Sequence, residues 1–405
     1  MSALFGTPSG ADLLLMAASV PVAVASAYLA ALALAARRRP TPAGSHGVRF
    51  DVVVPAHNEE RGIATTVRNL MAVDYPAERF RVIVVADNCT DGTPDVARSA
   101  GAHVIVREDA ERRGKGYALS LAYDASIAEG WARAVVVVDA DTVVSPSLLA
   151  AFAARIEAGA QVLQAEYTVR NVGDSWRTRL MAIAFALYHT LRSLGRERLG
   201  FSCGLRGNGM CFTADVLRRV PHRAFSVVED VEYGIDLGLA GVRVAYVPEA
   251  QVRGEMPASS EASRSQRERW EGGRWALVKS RAPELLRAAL GKRDRLAFDL
   301  LADLLVPPLT TLVALSALGA ALAGAAVSAN VAGIVGAAGW AVALLGLTIY
   351  IVRGCVLAGV GTRVVVDLLY APVYATWKLS LLLRPRPSGR GEWIRTRRAN
   401  DHSSA

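Results

Sequence analysis

The chain has 405 residues, 52% of them apolar, and 46 Lys and Arg against 37 Asp and Glu give a formal net charge of +9. That length exceeds one ordinary small domain, and the apolar residues gather in long runs, which excludes a wholly soluble enzyme. The basic excess sits beside those runs. The middle lacks the aromatic–basic interleaving of a nucleic-acid surface, so no nucleic-acid partner is expected.

Residues 1–10 read as a short extracytoplasmic N-terminus. The run Ala11–Ala36 carries one charge, Asp12, and exceeds the roughly 20 residues that cross hydrocarbon as a helix. No Lys or Arg precedes it, and Arg37-Arg38-Arg39 follows it. Positive flanks stay in the cytoplasm, so the N-terminus lies outside and Arg37 to about Asp299 lies inside. AVASA within the run resembles a signal-cleavage site, but the basic leader is missing, so an uncleaved anchor is expected. Residues 37–48 form a linker.

From 49 to 255 short apolar runs alternate with helical patterns. Strands are expected at Asp51–Val54, Val82–Ala86, His103–Val106, Ala134–Val138, Val162–Tyr167 and Val242–Val247. Helices are expected at Glu59–Met71, Pro94–Ala100, Gly116–Glu129 and Pro146–Ala158, the last with Ser145 as N-cap and Gly159 past its end. Such alternation predicts an α/β fold with a mainly parallel sheet covered on both faces. Ligands then bind beyond the carboxyl ends of the strands, where Asp87, Asp139 and Asp141 fall. Ser175–Leu194 reads as an amphipathic helix.

VVVPAHNEE closes the first strand without the G-x-G-x-x-G of a dinucleotide fold, which disfavours an oxidoreductase. Asp87, in VVADNCTDGT, suits either a contact to a base or ribose, or an Asx-turn or helix cap. His57 is a further donor-side candidate. In VVVVDADTVV, Asp139 and Asp141 lean the same way as the strand ends. Two carboxylates plus a diphosphate can hold Mg²⁺ or a similar ion, although a lone D-x-D is weak evidence. Glu229 and Asp230, in SVVEDVEYG, read either as partners of a helix N-terminus or as a general base. Gln266, Arg269 and Trp270 share one helical face, suited to phosphate and sugar contacts or to a helix lying on a bilayer. The four cysteines show no metal or disulfide spacing.

Residues 256–297 carry that Q-x-x-R-W segment and interfacial helices. Transmembrane helices are expected at 298–327 and 331–353. Residues 354–383 read as an interfacial helix or a fourth span, and 384–405 as a basic cytoplasmic tail.

Together PAHNEE (Pro55–Glu60), Asp87, RGKGYAL (Arg113–Leu119), Asp139/Asp141, GNGMCF (Gly207–Phe212), Glu229-Asp230 and Q-x-x-R-W resemble the membrane-bound family 2 glycosyltransferases. These include cellulose, hyaluronan and poly-N-acetylglucosamine synthases and ceramide glucosyltransferases. The resemblance covers about Val52–Trp275 and implies a GT-A catalytic domain. It implies a nucleotide-sugar donor, UDP-linked by expectation, held by Pro55, Ala56, Glu59, Asp87 and Lys115, and by Asp139 and Asp141 with Mg²⁺ or Mn²⁺. Asp230, beside Glu229, would be the base. Gln266, Arg269 and Trp270 would complete the catalytic end, and Cys203, Gly207, Asn208, Gly209 and Trp270 the acceptor side. The resemblance implies inverting transfer to a lipid or growing polysaccharide at a bacterial-type inner membrane, among membrane lipids, and allows partner subunits of an export complex. The alternatives are a sugar-phosphate nucleotidyltransferase or a non-catalytic subunit of such a complex.

Overall fold

The computed structural model describes residues 8–38, 44–256, 260–357, 363–368 and 370, with the backbone alone described at 260–271 and 363–365. Helix α1 (Gly10–Ala35) is followed by β1 (Phe50–Ala56), α2 (Glu60–Met71), β2 (Phe80–Asp87), α3 (Thr93–Ser99) and β3 (His103–Arg107). Then come α4 (Lys115–Glu129), β4 (Ala134–Val137), β5 (Val143–Val144), α5 (Leu148–Glu157), β6 (Val162–Val169), α6 (Trp176–Phe185) and α7 (Arg192–Arg198). Strand β7 (Met210–Thr213), α8 (Ala214–Arg219), α9 (Glu229–Leu239) and β8 (Val244–Gly254) follow. The chain continues through α10 (Ser260–Gly291), α11 (Arg295–Leu305), α12 (Leu309–Ser328), α13 (Ala338–Leu357) and α14 (Arg363–Leu368). Two compact units result, one helical and one α/β.

In the helical unit, α1, α12 and the stretch Ile334–Leu357 are long and apolar enough to cross a membrane. Lipid offers no hydrophobic drive between helices, so small residues that permit close approach take over. Gly339 and Gly346 of α13 lie against Ser19 and Ser26 of α1, Gly195 of α7 against the Leu32 backbone, and Gly319 of α12 against the Trp340 ring. Asp12, the one acid of the first run, is buried rather than merely terminal. Its carboxylate accepts from Ser9 N and Oγ (2.9 and 2.8 Å), from Gly333 N (2.9 Å) and from Gly336 N (3.1 Å). It therefore caps its own helix and ties it to the α12–α13 connection.

The span expected at 298–327 is corrected. Two helices replace it, because Pro307 and Pro308 lack the N–H groups that would continue the ladder, and α12 starts only at Leu309. Helix α11 belongs to the α/β unit: Leu300 and Leu301 pack there with Ile235 and Leu277. Part of the 354–383 segment forms α14; residues 371–405, including the basic tail, lie outside the described residues.

The α/β unit is built on one eight-stranded sheet in the order β3-β2-β1-β4-β7-β6-β8-β5. The β1–β2, β1–β4, β2–β3 and β6–β8 ladders are parallel. Strand β7 runs antiparallel to both β4 and β6, and β5 antiparallel to β8. Neither β5 nor β7 was expected, because two and four residues are too few to show a period. Along β1 every residue is buried. Val52 and Val54 pack with Ile63, Val67 and Leu70 of α2 and Phe152 of α5, while α4 packs against β1 and β2. Asp51, buried in the same strand, survives there because Arg81 (Nε to Oδ1 2.9 Å) and Ser126 (2.6 Å) satisfy it.

The expected N-cap Ser145 is also corrected. Helix α5 begins at Leu148 behind Ser147, and Ser145 instead bonds to Gln251 of β8 through N–H···O (2.8 Å) and through Oγ, which accepts from N–H (3.1 Å). Gly209 enters β7 at φ +68°, donating to Val137 O (2.9 Å) and accepting from Ala165 N (2.8 Å). A Cβ there would sit 2.8 Å from Val252 and 2.9 Å from Ala165. We expect Gly209→Ala to lower stability by about 1–3 kcal/mol, measured by thermal unfolding; an unchanged midpoint would contradict that packing.

Candidate active site

Strands β1, β2 and β4 are parallel neighbours, so their carboxyl ends share one edge. Ala56 and Pro55 close β1 and are buried; Glu59 follows, half-buried, with its N–H on Thr93 Oγ1 (2.8 Å). The two loops beyond β1 and β2 are stitched together. Asn58 and Asn88 adopt positive φ (+56° and +50°), a conformation that asparagine tolerates. Thr90 N donates to Asn58 Oδ1 (2.8 Å), and His57 Nδ1 donates to Asp87 O (2.7 Å).

The Asp87 carboxylate is 1% exposed and pairs with Arg107 Nη1 at 2.6 Å. It makes neither an Asx-turn nor a cap; Asp91 does that, accepting from Thr93 N (3.0 Å) and Glu60 N (3.2 Å). Sequence reasoning missed Arg107. Its position at the end of HVIVR, level with Asp87 across the β2–β3 ladder, is visible only once register is known.

After β4 the burial pattern alternates: Ala140 and Thr142 point inward, while Asp139 and Asp141 remain half-exposed. Lys115, the first residue of α4, reaches across. Its Nζ donates to Asp139 Oδ1 (2.5 Å) and to Gly207 O (2.5 Å), and stands 3.9 Å from Glu229 Oε1. Burial opposes the charge on this ammonium, but Asp139, Glu229 and Asp230 outweigh it and hold the proton more tightly than usual.

Glu229 and Asp230 open α9. Burial, together with their mutual repulsion, raises the proton affinity of Glu229, to about 8, against the pull of Lys115. Asp230 is also raised, by burial first, with Val231 N–H, Lys115 and Arg206 opposing. Gly207, at φ +75°, leaves room here: a Cβ would lie 3.4 Å from Asp230 Oδ2 and 3.9 Å from Lys115 Nζ.

The residues expected on the acceptor side divide. Gly207 borders the charged cluster. Gly209 is inside the sheet. Cys203 is fully buried, its N–H on Val244 O (3.0 Å). Asn208 is fully buried too, with its side chain on the aspartate turn. Three participants were missed: Arg206, whose guanidinium donates to Cys203 O (2.8 Å); Gln164, buried beneath residues 206–209; and Tyr167, whose hydroxyl proton is held tightly by burial and by facing Asp139 and Asp141. A polar Gln in the apolar strand VLQAEYTV was the available signal.

The side chains of Gln266, Arg269 and Trp270 lie outside the described residues. The backbone of their helix is placed: Gly273 of α10 packs against Val228, immediately before Glu229, where a Cβ would meet the valine at 3.0 Å. The helix therefore passes the start of α9.

Among the described residues no group of three His, Cys, Asp or Glu gathers as an all-protein metal cage. The half-exposed Asp139 and Asp141 carboxylates nonetheless suit a hard divalent ion, which typically takes about one or two carboxylates and completes its shell with phosphate and water. The donor set therefore fits Mg²⁺ or Mn²⁺.

Residues 46–273 match the model of the family "Glycosyltransferase like family 2". The chain belongs to that family. It is 25% identical over 265 residues to the probable glycosyltransferase YdaM of Bacillus subtilis, covering 62% of this chain and 60% of that protein. It is 31% identical over 234 residues to the beta-monoglucosyldiacylglycerol synthase of a Synechocystis strain, covering 55% and 47%. The chain thus spans less than two thirds of either relative. A solved structure, a mannosyltransferase from Pyrobaculum calidifontis with GDP-Man and Mn²⁺, aligns with a TM-score of 0.49 at 19% identity, over 85% of this chain and 97% of that one.

Glu229 binds a proton more strongly folded (about 8) than unfolded (4.5). Between those values the native state holds the extra proton, so this group's contribution to stability falls as pH rises. Unfolding midpoints measured from pH 5 to 9 are expected to show that decline in the wild type and a flatter profile in Glu229→Gln. Identical slopes would mean Glu229 is ionised throughout.

Proposed function

We propose that the chain is a membrane-anchored, inverting glycosyltransferase that moves a sugar from a nucleoside-diphosphate donor, UDP-linked, to a hydroxyl of a lipid or saccharide acceptor. One observation carries the reading. Lys115, Asp139, Gly207, Glu229 and Asp230 come from four distant segments and meet within one cluster, where a cation, a metal-type carboxylate and a base-type carboxylate stand side by side.

The chemistry follows from charge. Asp139 and Asp141 would hold the divalent ion, which supplies positive charge against the departing diphosphate. Lys115 adds a second, fixed cation to that leaving group. Asp230, with its raised proton affinity, accepts the proton of the acceptor hydroxyl as the oxygen attacks the anomeric carbon. Burial raises the proton affinity of Glu229 as well, which lessens the negative charge beside Asp230. Attack in line with departure inverts the anomeric centre in one step. The Asp87–Arg107 pair and Glu59 would meet the nucleoside, and Gln266, Arg269 and Trp270 the acceptor and diphosphate end.

The membrane assignment rests on the three apolar helices, and the Lys/Arg flanks support a cytoplasmic catalytic unit with the N-terminus outside. The name of the Synechocystis relative, a synthase of a glucosyl lipid, supports a lipid acceptor.

Purified full-length protein supplied with UDP- and GDP-sugars and membrane lipids tests the proposal by nucleotide release and mass spectrometry of products. Asp230→Asn is expected to lower kcat about 10²–10⁴-fold with normal folding, and Asp141→Asn to abolish transfer. Activity intact in either variant removes that residue from the mechanism, and full activity in excess EDTA rejects the metal. Release of pyrophosphate in place of nucleoside diphosphate would turn the assignment to nucleotidyl transfer.

A further inference from the structure

The Asn208 side chain is fully buried, and both ends of its amide are used. Oδ1 accepts from the backbone N–H of Asp139 at 3.1 Å, and Nδ2 donates to Thr142 Oγ1 at 2.7 Å. An N–H faces one end, which fixes the orientation of the amide. The two bonds bracket the turn that carries Asp139 and Asp141, which also closes on itself through Thr142 N to Asp139 O at 3.2 Å.

Asn208 is itself seated from below. Gln164, also fully buried, donates Nε2 to Asn208 O (2.7 Å), while its Oε1 accepts from Arg206 N (2.9 Å). The next carbonyl back, that of Gly207, receives the Lys115 ammonium. Residues 206–209 are therefore held at three successive points, and the one side chain they send into the aspartate turn is Asn208.

We infer that Asn208, seated by Gln164, is a positioning residue that fixes the Asp139–Thr142 turn so that both aspartates face a divalent ion together. Partners that orient metal ligands typically contribute about ten- to a hundred-fold in metal affinity, and a buried amide bonded at both ends of the ligand turn has the geometry for it. The inference deepens the proposed function and rests on its metal reading. It gives the asparagine of GNGM a role on the donor side of the site.

The test is a MnCl₂ titration of full-length, detergent-purified protein with UDP and, separately, GDP, with free Mn²⁺ followed by electron paramagnetic resonance. Unfolding midpoints are recorded for each variant. Asn208→Ala and Thr142→Val are expected to weaken Mn²⁺ binding by about ten- to a hundred-fold. Thr142→Ser, which keeps the hydroxyl, should bind as the wild type does. Donor KM at limiting Mn²⁺ should rise in the first two variants, with kcat recovered at saturating Mn²⁺. Variants that lose thermal stability but keep wild-type Mn²⁺ affinity overturn the inference, as does Thr142→Ser binding as weakly as Thr142→Val. If Asn208→Ala fails to fold, the near-isosteric Thr142 pair still decides. Wild-type protein that binds no Mn²⁺ overturns the metal reading itself, a separate result that removes this inference with it.

Discussion

One ammonium group sits where three carboxylates converge. Lys115 reaches Asp139 at 2.5 Å and Glu229 at 3.9 Å, and its field is felt at Asp230. Asp139, Glu229 and Asp230 could not be gathered in a part-buried space without it, since uncompensated buried charge is expensive. The cost shows even so: burial raises the proton affinity of Glu229. The proposed transfer depends on that arrangement, because the same cation that permits the carboxylates to assemble stands ready beside a diphosphate.

The cluster is framed by backbone rather than by side chains alone. Residues 203–209 cross under it in a series of positive-φ turns at Gly204, Gly207 and Gly209, conformations that glycine enters without steric cost. This path turns the Gly207 carbonyl to Lys115 and leaves its missing Cβ as the gap beside Asp230. It then delivers β7 antiparallel between β4 and β6, so that the loop is anchored by ladders on both sides. A short antiparallel strand inside a mainly parallel sheet is thus what carries the glycine loop to the aspartates.

The helical unit obeys a different rule. Between helices apolar enough to cross a membrane, lipid would supply no hydrophobic drive, and contacts are made where glycine and serine let backbones approach, as at Gly339–Ser19 and Gly346–Ser26. The single acid of the first span is tolerated because four hydrogen bonds from Ser9, Gly333 and Gly336 meet it. Polar groups at a membrane-type helix end are satisfied locally or not kept.

Much of this was legible beforehand. Apolar runs declared the three membrane-type helices, and strand–helix alternation gave the parallel half of the sheet, because both signals repeat over many residues. The aspartates and the Glu229-Asp230 pair could be singled out since charges beside apolar runs are conspicuous, whereas Lys115 was reached only through the family resemblance of RGKGYAL. The break at Pro307-Pro308 was also present in the sequence, but its consequence was lost inside a long apolar stretch. What only the folded chain decided was partnership. That Arg107 answers Asp87, that Asn208 bonds to the Asp139–Thr142 turn, and that Gln164 rather than a surface residue supports the loop all follow from strand order and register. These contacts join residues between 20 and 69 positions apart, and no local period encodes which distant segment will lie alongside.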